Sequence, residues 1–579
     1  MSRLNVDQKS VMTLFQNEKT DFLIPDYQRP YAWGEKECAT LWEDIFTFAF
    51  PDNDRTKFNT QKDEYFLGPI VTFKNANEQM EVIDGQQRLT TLLLLLRAFY
   101  DRFANMMDDD SKKARENIAK CIWKTDELGN VEKDKLKIDS QVATDNDKEE
   151  LLNILKSGRV VDGQKSRYAE NYRFFLRKIN DFLNNYPGYF VYMPNRILRN
   201  CILLPIEADG MDTALRIFST LNDRGKPLSD ADIFKAEFYK YYSKSGRKDK
   251  FIEEWKALEE CTNKIFQPIY GTPMDELFTR YMYYIRARQK NKNTTTEALR
   301  TFYEKDGYNL LKQEETLENL KLLVDFWKDV SAQDVERFSP EVLRRLYVLH
   351  YAPNSMWTSF TSVYFLKNRD DKGLLDDKRF CDFLNKSIAF IWAYAIIRPG
   401  VNALRTPVYS EMVEIVEGRE VTFSNFKFDE TQLRNTINNY RFVNSKPITK
   451  SMITWWAFSK DEQPLLPLDT VIETEHIYAR NRYAHEKSLS DESLVESLGN
   501  KAIIEKRINI RASDYRFEDK KRYYRGYEGT RGKKEGSKVA ELLNMADCYE
   551  DFGEEEIKAR YENIVNAFIN YLRNNDLLQ

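Results

Sequence analysis

Between Tyr65 and Tyr100 the spacing of apolar positions changes twice. Tyr65 to Lys74 (YFLGPIVTFK) is dense in β-branched and aromatic residues and predicts a strand. Asn75-Ala76-Asn77-Glu78 carries turn chemistry, and Gln79 to Ile83 alternates as a second strand folded back on the first. After Gly85 the pattern shifts: Leu89, Leu92, Leu93, Leu96 and Phe99 recur at helical spacing, so a helix begins within a residue or two of Arg88. Asp84-Gly85-Gln86-Gln87-Arg88 therefore sits where a strand feeds a helix.

The remaining pattern predicts a mixed α/β first part and a mainly α remainder. Met1 to Thr20 reads as a short helical lead, and Phe22 to Trp33 (FLIPDYQRPYAW) as an extended segment whose prolines forbid a helix. Glu37 to Phe48 is an amphipathic helix. Asp108 to Lys165, charged and interrupted, reads as solvated helices and loops, and Cys201 to Ile206 as a buried strand. Ala214 to Leu221 and Asp230 to Tyr242 are helices joined by Asn222 to Ser229. Lys248 to about Gly418 is almost wholly helical, with apolar faces supplied by residues such as Trp255, Phe326 and Trp392. The divisions expected are 1–245, 246–418 and 419–579.

Composition removes options rather than adding them. The chain has 579 residues, with 88 Lys and Arg against 92 Asp and Glu, so no global basic field advertises nucleic acid and local patches must carry that argument. No signal peptide opens it, and the longest apolar run, Ile388 to Ile397, is short of the roughly 20 residues that cross a bilayer. A cytoplasmic protein without membrane contact is the expectation. Six scattered cysteines without a C-x-x-C pair argue against disulfides and cysteine-ligated zinc. Only His350, His476 and His485 can serve histidine chemistry, and no Walker A motif occurs.

Two places invite phosphorus chemistry. At the first, the open N–H groups of the helix after Gly85 favour a phosphate, Arg88 adds a planar cation, Gln86 and Gln87 add uncharged donors, and Asp84 would hold a water or a divalent ion. The plainer alternative is that Asp84 caps the helix and Arg88 is solvated. Tyr27, Gln28 and Arg29 interleave aromatic and polar groups in a way that suits a stacked base, or else an edge strand over a core. Arg224 would reach the same phosphate as Arg88.

At the second, Pro467 to Arg480 (PLDTVIETEHIYAR) is a strand carrying Glu475 and His476 to its end on opposite sides of the pleat. Leu498 to Ile504 follows as turn and strand, then Asn509 and a helix from about Phe517. This order is the logic of a one-metal phosphodiesterase. His476 takes a proton from water, Glu475 and Asn509 hold Mg²⁺ or another divalent ion, and Asn500 fixes the loop that orients the histidine. Basic residues crowd the next segment, among them Arg507, Arg511, Arg516, Lys520 and Lys521, interleaved with tyrosines, and they predict a DNA-binding flank.

As a set, the motifs IPDYQRPYAW (Ile24 to Trp33), DGQQRLTTL (Asp84 to Leu92), FSTLNDRGKPLS (Phe218 to Ser229), EHI (Glu475 to Ile477), LGN (Leu498 to Asn500), Asn509 and FEDKK (Phe517 to Lys521) resemble the GmrSD-type modification-dependent restriction proteins. These pair an N-terminal domain of unknown function 262 with a C-terminal domain of unknown function 1524. The resemblance implies a ParB-like N-terminal domain that binds and hydrolyses a nucleoside triphosphate, GTP or ATP, through Tyr27, Gln28, Arg29, Asp84, Gly85, Gln86, Gln87, Arg88, Thr90, Asn222 and Arg224. It also implies a C-terminal ββα-metal (HNH, or His-Me finger) nuclease acting on modified or phage DNA, with His476 and Asn500 as its catalytic residues, while Asp84 is the catalytic residue implied for the N-terminal nucleotide site. Hydrolysis at the first site is expected to control the second, and a homodimer remains open. The family pattern has proline where Ala479 stands, a departure that touches geometry rather than chemistry. Competing readings are a nucleotide-dependent DNA-binding protein without nuclease activity, and an HNH ribonuclease or toxin.

Overall fold

The strand Tyr65–Lys74 is the axis of the first half: it pairs antiparallel with Met80–Asp84 on one side and parallel with Cys201–Ala208 on the other. The computed structural model describes all residues except 1–4, 18–20, 143–144, 161–162, 164, 212, 215–216, 218–228, 292, 296, 401, 514–515 and 531. It divides into two units, Met1–Ala257 and Leu258–Gln579.

In the first unit a seven-stranded mixed sheet continues from Met80–Asp84 to Phe22–Ile24 and Ile138–Ser140, both added in parallel. At the other edge Asn5–Val6 and Lys9–Ser10 pair with Cys201–Ala208. Three expectations change here. The opening residues are two short strands and a five-residue helix, Val11–Phe15, rather than a helical lead, because the open edge of Cys201–Ala208 offers backbone partners that a short isolated helix lacks. Phe22–Ile24 is internal to the sheet, with neighbours on both sides, so it is not an edge strand. The charged stretch from Asp108 is only half solvated: Asp109–Ile122 and Lys148–Ser157 turn Ala114, Ile118, Cys121, Ile122, Leu151, Ile154 and Leu155 into the core, and their charges occupy the remaining faces.

The helix Gln86–Arg102 runs through the middle of this unit. Its leucines are buried all round, Leu94 and Leu95 included, because it is packed between the sheet and the helices Asp109–Ile122 and Arg167–Asn185. The sequence pattern showed only one of its faces.

The second unit is mainly helical. Asp377–Ile397 is long and apolar enough to cross a bilayer by length and composition, but it lies mostly buried, packed on Pro340–His350, Pro447–Phe458 and the C-terminal helix Glu554–Asn574. Helices on either side of residue 418 thus share one core. Within this unit Ile472–His476 and Lys501–Glu505 form an antiparallel hairpin, followed by the helices Lys506–Ala512 and Phe517–Arg525.

Candidate functional site

At the first candidate site the chain turns on Gly85, which has φ +94 and whose added Cβ would stand 3.0 Å from Ile70. Only glycine takes that conformation in that space without strain. Asp84 Oδ1 accepts from Gly85 N at 2.8 Å, and burial raises the carboxyl pKa while that hydrogen bond, Arg88 and Arg29 pull it back. Arg88 is half-buried and donates to the Pro69 carbonyl at 2.7 Å; its guanidinium lies so close over Gly68 that a Cβ there would meet it at 2.9 Å. Burial lowers its pKa, and Asp84 opposes the shift.

The glutamines have a different occupation from phosphate binding. Gln86 donates to the Arg29 carbonyl at 2.9 Å, and Gln87 accepts from Ala32 N and Trp33 N and donates to Pro30 O. Gln28 reaches back to the carbonyls of Val82 and Ile83. Three side-chain amides thus clamp the proline-bearing segment, which has few backbone partners of its own, onto the strand-to-helix junction. Tyr27 is buried with its hydroxyl 3.3 Å from Glu81, and Thr90 is buried with no hydrogen-bond partner for its hydroxyl among the described residues. Asn222 and Arg224 lie outside the described residues.

At the second site the register pairs His476 with Lys501 and Glu475 with Ala502, so the pleat sends His476 and Glu475 to opposite faces. On its face, His476 Nε2 lies 3.4 Å from Glu496 Oε1 and has no hydrogen-bond partner among the described residues. Glu496 also takes Arg480 at 2.5 Å and the fully buried Lys501 at 2.6 Å. Burial first, then the Lys501 charge, pulls the imidazole pKa down to about 4, against the opposing pull of Glu496. The ring is therefore neutral at neutral pH, the form a general base needs.

On the other face Glu475 Oε1 accepts from Lys520 Nζ at 2.8 Å and from the Tyr524 hydroxyl at 2.7 Å, and Lys520 also donates to the His476 carbonyl at 2.6 Å. Asn509 donates from Nδ2 to Glu473 Oε2 at 2.7 Å. Alternation puts Glu473 on the Glu475 face, so two carboxylates and an amide, all oxygen donors, share one side of the hairpin. That donor chemistry fits a hard divalent ion. No group of three His, Cys, Asp or Glu side chains placed to hold a metal ion occurs among the described residues, so a seat here depends on the amide.

Asn500 is fully buried and ties the turn after His476. Its Oδ1 accepts from Tyr478 N at 2.7 Å, its Nδ2 donates to Tyr478 O and Val495 O, and its carbonyl accepts from Ile477 N. Gly499 is required by close approach, since a Cβ there would lie 2.0 Å from the Ile557 carbonyl. Ala479 has φ −67, the angle a proline ring would impose, so the departure from the family pattern leaves the backbone path unchanged.

The basic flank needs a correction. Lys520 is 1 % exposed and is spent on Glu475 and His476, so it is not available to DNA. Helical spacing turns Phe517, Lys520 and Tyr524 inward together. Lys521 donates to the carbonyls of Tyr549 and Glu550, Arg516 pairs with Glu486, and Arg511 reaches the Arg507 and Glu535 carbonyls, while Arg507 is exposed. Sequence reasoning missed Glu473, Glu496, Lys501 and Arg560. Arg560 lies far along the chain, yet it donates to the carbonyls of Leu498, Gly499 and Lys501 and holds the LGN turn. Only the E-T-E alternation before His476 pointed to Glu473.

Comparison with protein families matches residues 11–239 to the GmrSD restriction endonuclease N-terminal domain and residues 427–567 to the GmrSD restriction endonucleases C-terminal domain. Comparison with curated proteins gave no match. Two such domains in one chain define a restriction endonuclease, an enzyme whose substrate is DNA. The chain belongs to the GmrSD restriction endonuclease family.

Proposed function

We propose that the chain is a nucleotide-regulated, divalent-metal-dependent DNA endonuclease that nicks or cuts DNA in modification-dependent restriction. The observation that carries the reading is His476: a neutral imidazole, its Nε2 without a hydrogen bond among the described residues, at the end of a hairpin whose other face gathers Glu473, Glu475 and Asn509. His476 takes a proton from the water that attacks phosphorus. Asn500 holds the turn that aims it, and Arg480 and Lys501 supply positive charge on the same face. Glu475 and Asn509 would hold a Mg²⁺ ion, which when bound neutralises charge on the scissile phosphate. A cavity of about 840 Å³ is lined in part by Arg480 and Glu496, the latter 3.4 Å from His476 Nε2, and by Tyr440, Tyr483 and Lys558, and it would give the substrate strand a place on the His476 face.

In the first unit, Arg29 and Arg88 beside the N-terminus of the Gln86–Arg102 helix would take the phosphates of GTP or ATP, and Asp84 would hold a water or a divalent ion next to them. Hydrolysis there would gate cleavage by the second unit. The deciding experiment is Mg²⁺-dependent cleavage of modified and unmodified DNA by wild type, Arg88→Ala and His476→Ala, with phosphate release followed in parallel. Loss of cleavage alone in His476→Ala, and of phosphate release in Arg88→Ala, is expected. Cleavage by His476→Ala at the wild-type rate would reject the nuclease assignment, and equal nicking with and without nucleotide would reject the gating.

A further inference from the structure

We infer that Glu473 is a positioning residue for the metal seat: it fixes the side-chain amide of Asn509 so that Oδ1, and not Nδ2, is presented to a divalent cation. The inference rests on the reading of Asn509 as a metal ligand. An asparagine amide has two ends of opposite polarity, and only the oxygen can ligate a hard cation. Which end faces outward is decided by what the other end binds. Asn509 Nδ2 donates to Glu473 Oε2 at 2.7 Å, and a carboxylate accepts but cannot donate, so the reversed amide would set oxygen against oxygen. The orientation is therefore dictated by charge, whichever way the two atoms are assigned.

The remaining contacts of Glu473 point to this role rather than to direct ligation. Its other oxygen, Oε1, faces the Lys506 ammonium at 3.9 Å, so both oxygens are turned toward protein groups. The backbone makes the arrangement rigid. Glu473 is locked in register opposite Ile504, and Asn509 belongs to the helix Lys506–Ala512 that leaves the partner strand directly. Outer partners of this kind set the orientation of metal ligands, and losing one costs roughly 10–100-fold in metal affinity.

The test uses the full chain and Mn²⁺ as the probe, with affinity read by electron paramagnetic resonance or titration calorimetry and the unfolding midpoint in chelator as the control for folding. Glu473→Leu is expected to lose about 10–100-fold in Mn²⁺ affinity in the wild-type background but less than about 3-fold in an Asn509→Asp background, where either side-chain oxygen at position 509 can ligate. An equal loss in both backgrounds would make Glu473 a direct ligand and overturn the positioning role. A Leu variant that binds as well as wild type would overturn it from the other side. Asn509→Ala separates the two levels of the argument: if it binds Mn²⁺ normally, the ligand reading of Asn509 itself fails.

Discussion

The junction around Gly85 and the hairpin around His476 handle their polar residues in opposite ways. In the first unit the motif is contiguous, and most of its side chains serve the backbone nearby: Gln86, Gln87 and Gln28 bind carbonyls and N–H groups between residues 28 and 83, and Arg88 binds Pro69. In the second unit the motif is scattered, and its residues are sorted by the pleat onto two faces, each completed from afar. Glu496 and Lys501 meet His476, Lys520 and Tyr524 meet Glu475, and Arg560 holds the turn between. A contiguous motif mostly builds a shape. A dispersed one assembles charges, and buried charges are where chemistry and stability are both at stake.

The sharpest way to break this contrast is His476→Ala, which removes the base while leaving the first unit untouched. A loss of about 10²–10⁴-fold in DNA cleavage, read by plasmid nicking, is expected with phosphate release unchanged. Next is Lys520→Met. It leaves Glu475, 4 % exposed, without its cation, and about 3–5 kcal/mol of stability should be lost in a urea melt of the second unit. Arg88→Met is the matched change in the first unit. It removes one carbonyl contact of a half-buried side chain and should cost only about 1–2 kcal/mol, while abolishing phosphate release. If the two substitutions cost the same, the contrast between the regions is lost.

Smaller in size but informative in sign is the pH response of His476. Its pKa falls from the ordinary 6.5 to about 4, chiefly through burial, so the neutral ring persists in the folded chain as the unfolded chain begins to take up a proton. The stability this provides is complete above pH 6.5 and is lost as pH falls toward about 4. Cleavage limited by this group should hold its rate down to about pH 5; an acid limb centred near 6.5 would show that the ring is not desolvated.

How much was legible beforehand differs between the two regions for the same reason. Hairpin, turn and helix between Tyr65 and Arg102 follow from local spacing and from the glycine at φ +94. The order of Glu475, His476 and Asn500 was likewise readable as a strand, a turn and a second strand, whereas Glu473 and the short helix that carries Asn509 were not read. The burial of Lys520 was not, because a lysine in a basic, tyrosine-rich helix reads as surface until a carboxylate is found on the face it turns inward.

The chain's order of residues alone determined where the strands and helix between Tyr65 and Arg102 begin, which family the motifs resemble, and which three histidines had to carry any imidazole chemistry. Periodicity and turn residues act over a few positions and leave a readable trace. Only the tertiary structure decided that Phe22–Ile24 is internal to a sheet, that Lys520 belongs to Glu475 rather than to DNA, and that Glu496 and Arg560 support His476 and its turn. Those pairings join residues far apart in the chain, and their strength comes from burial in a low dielectric, which no local pattern records.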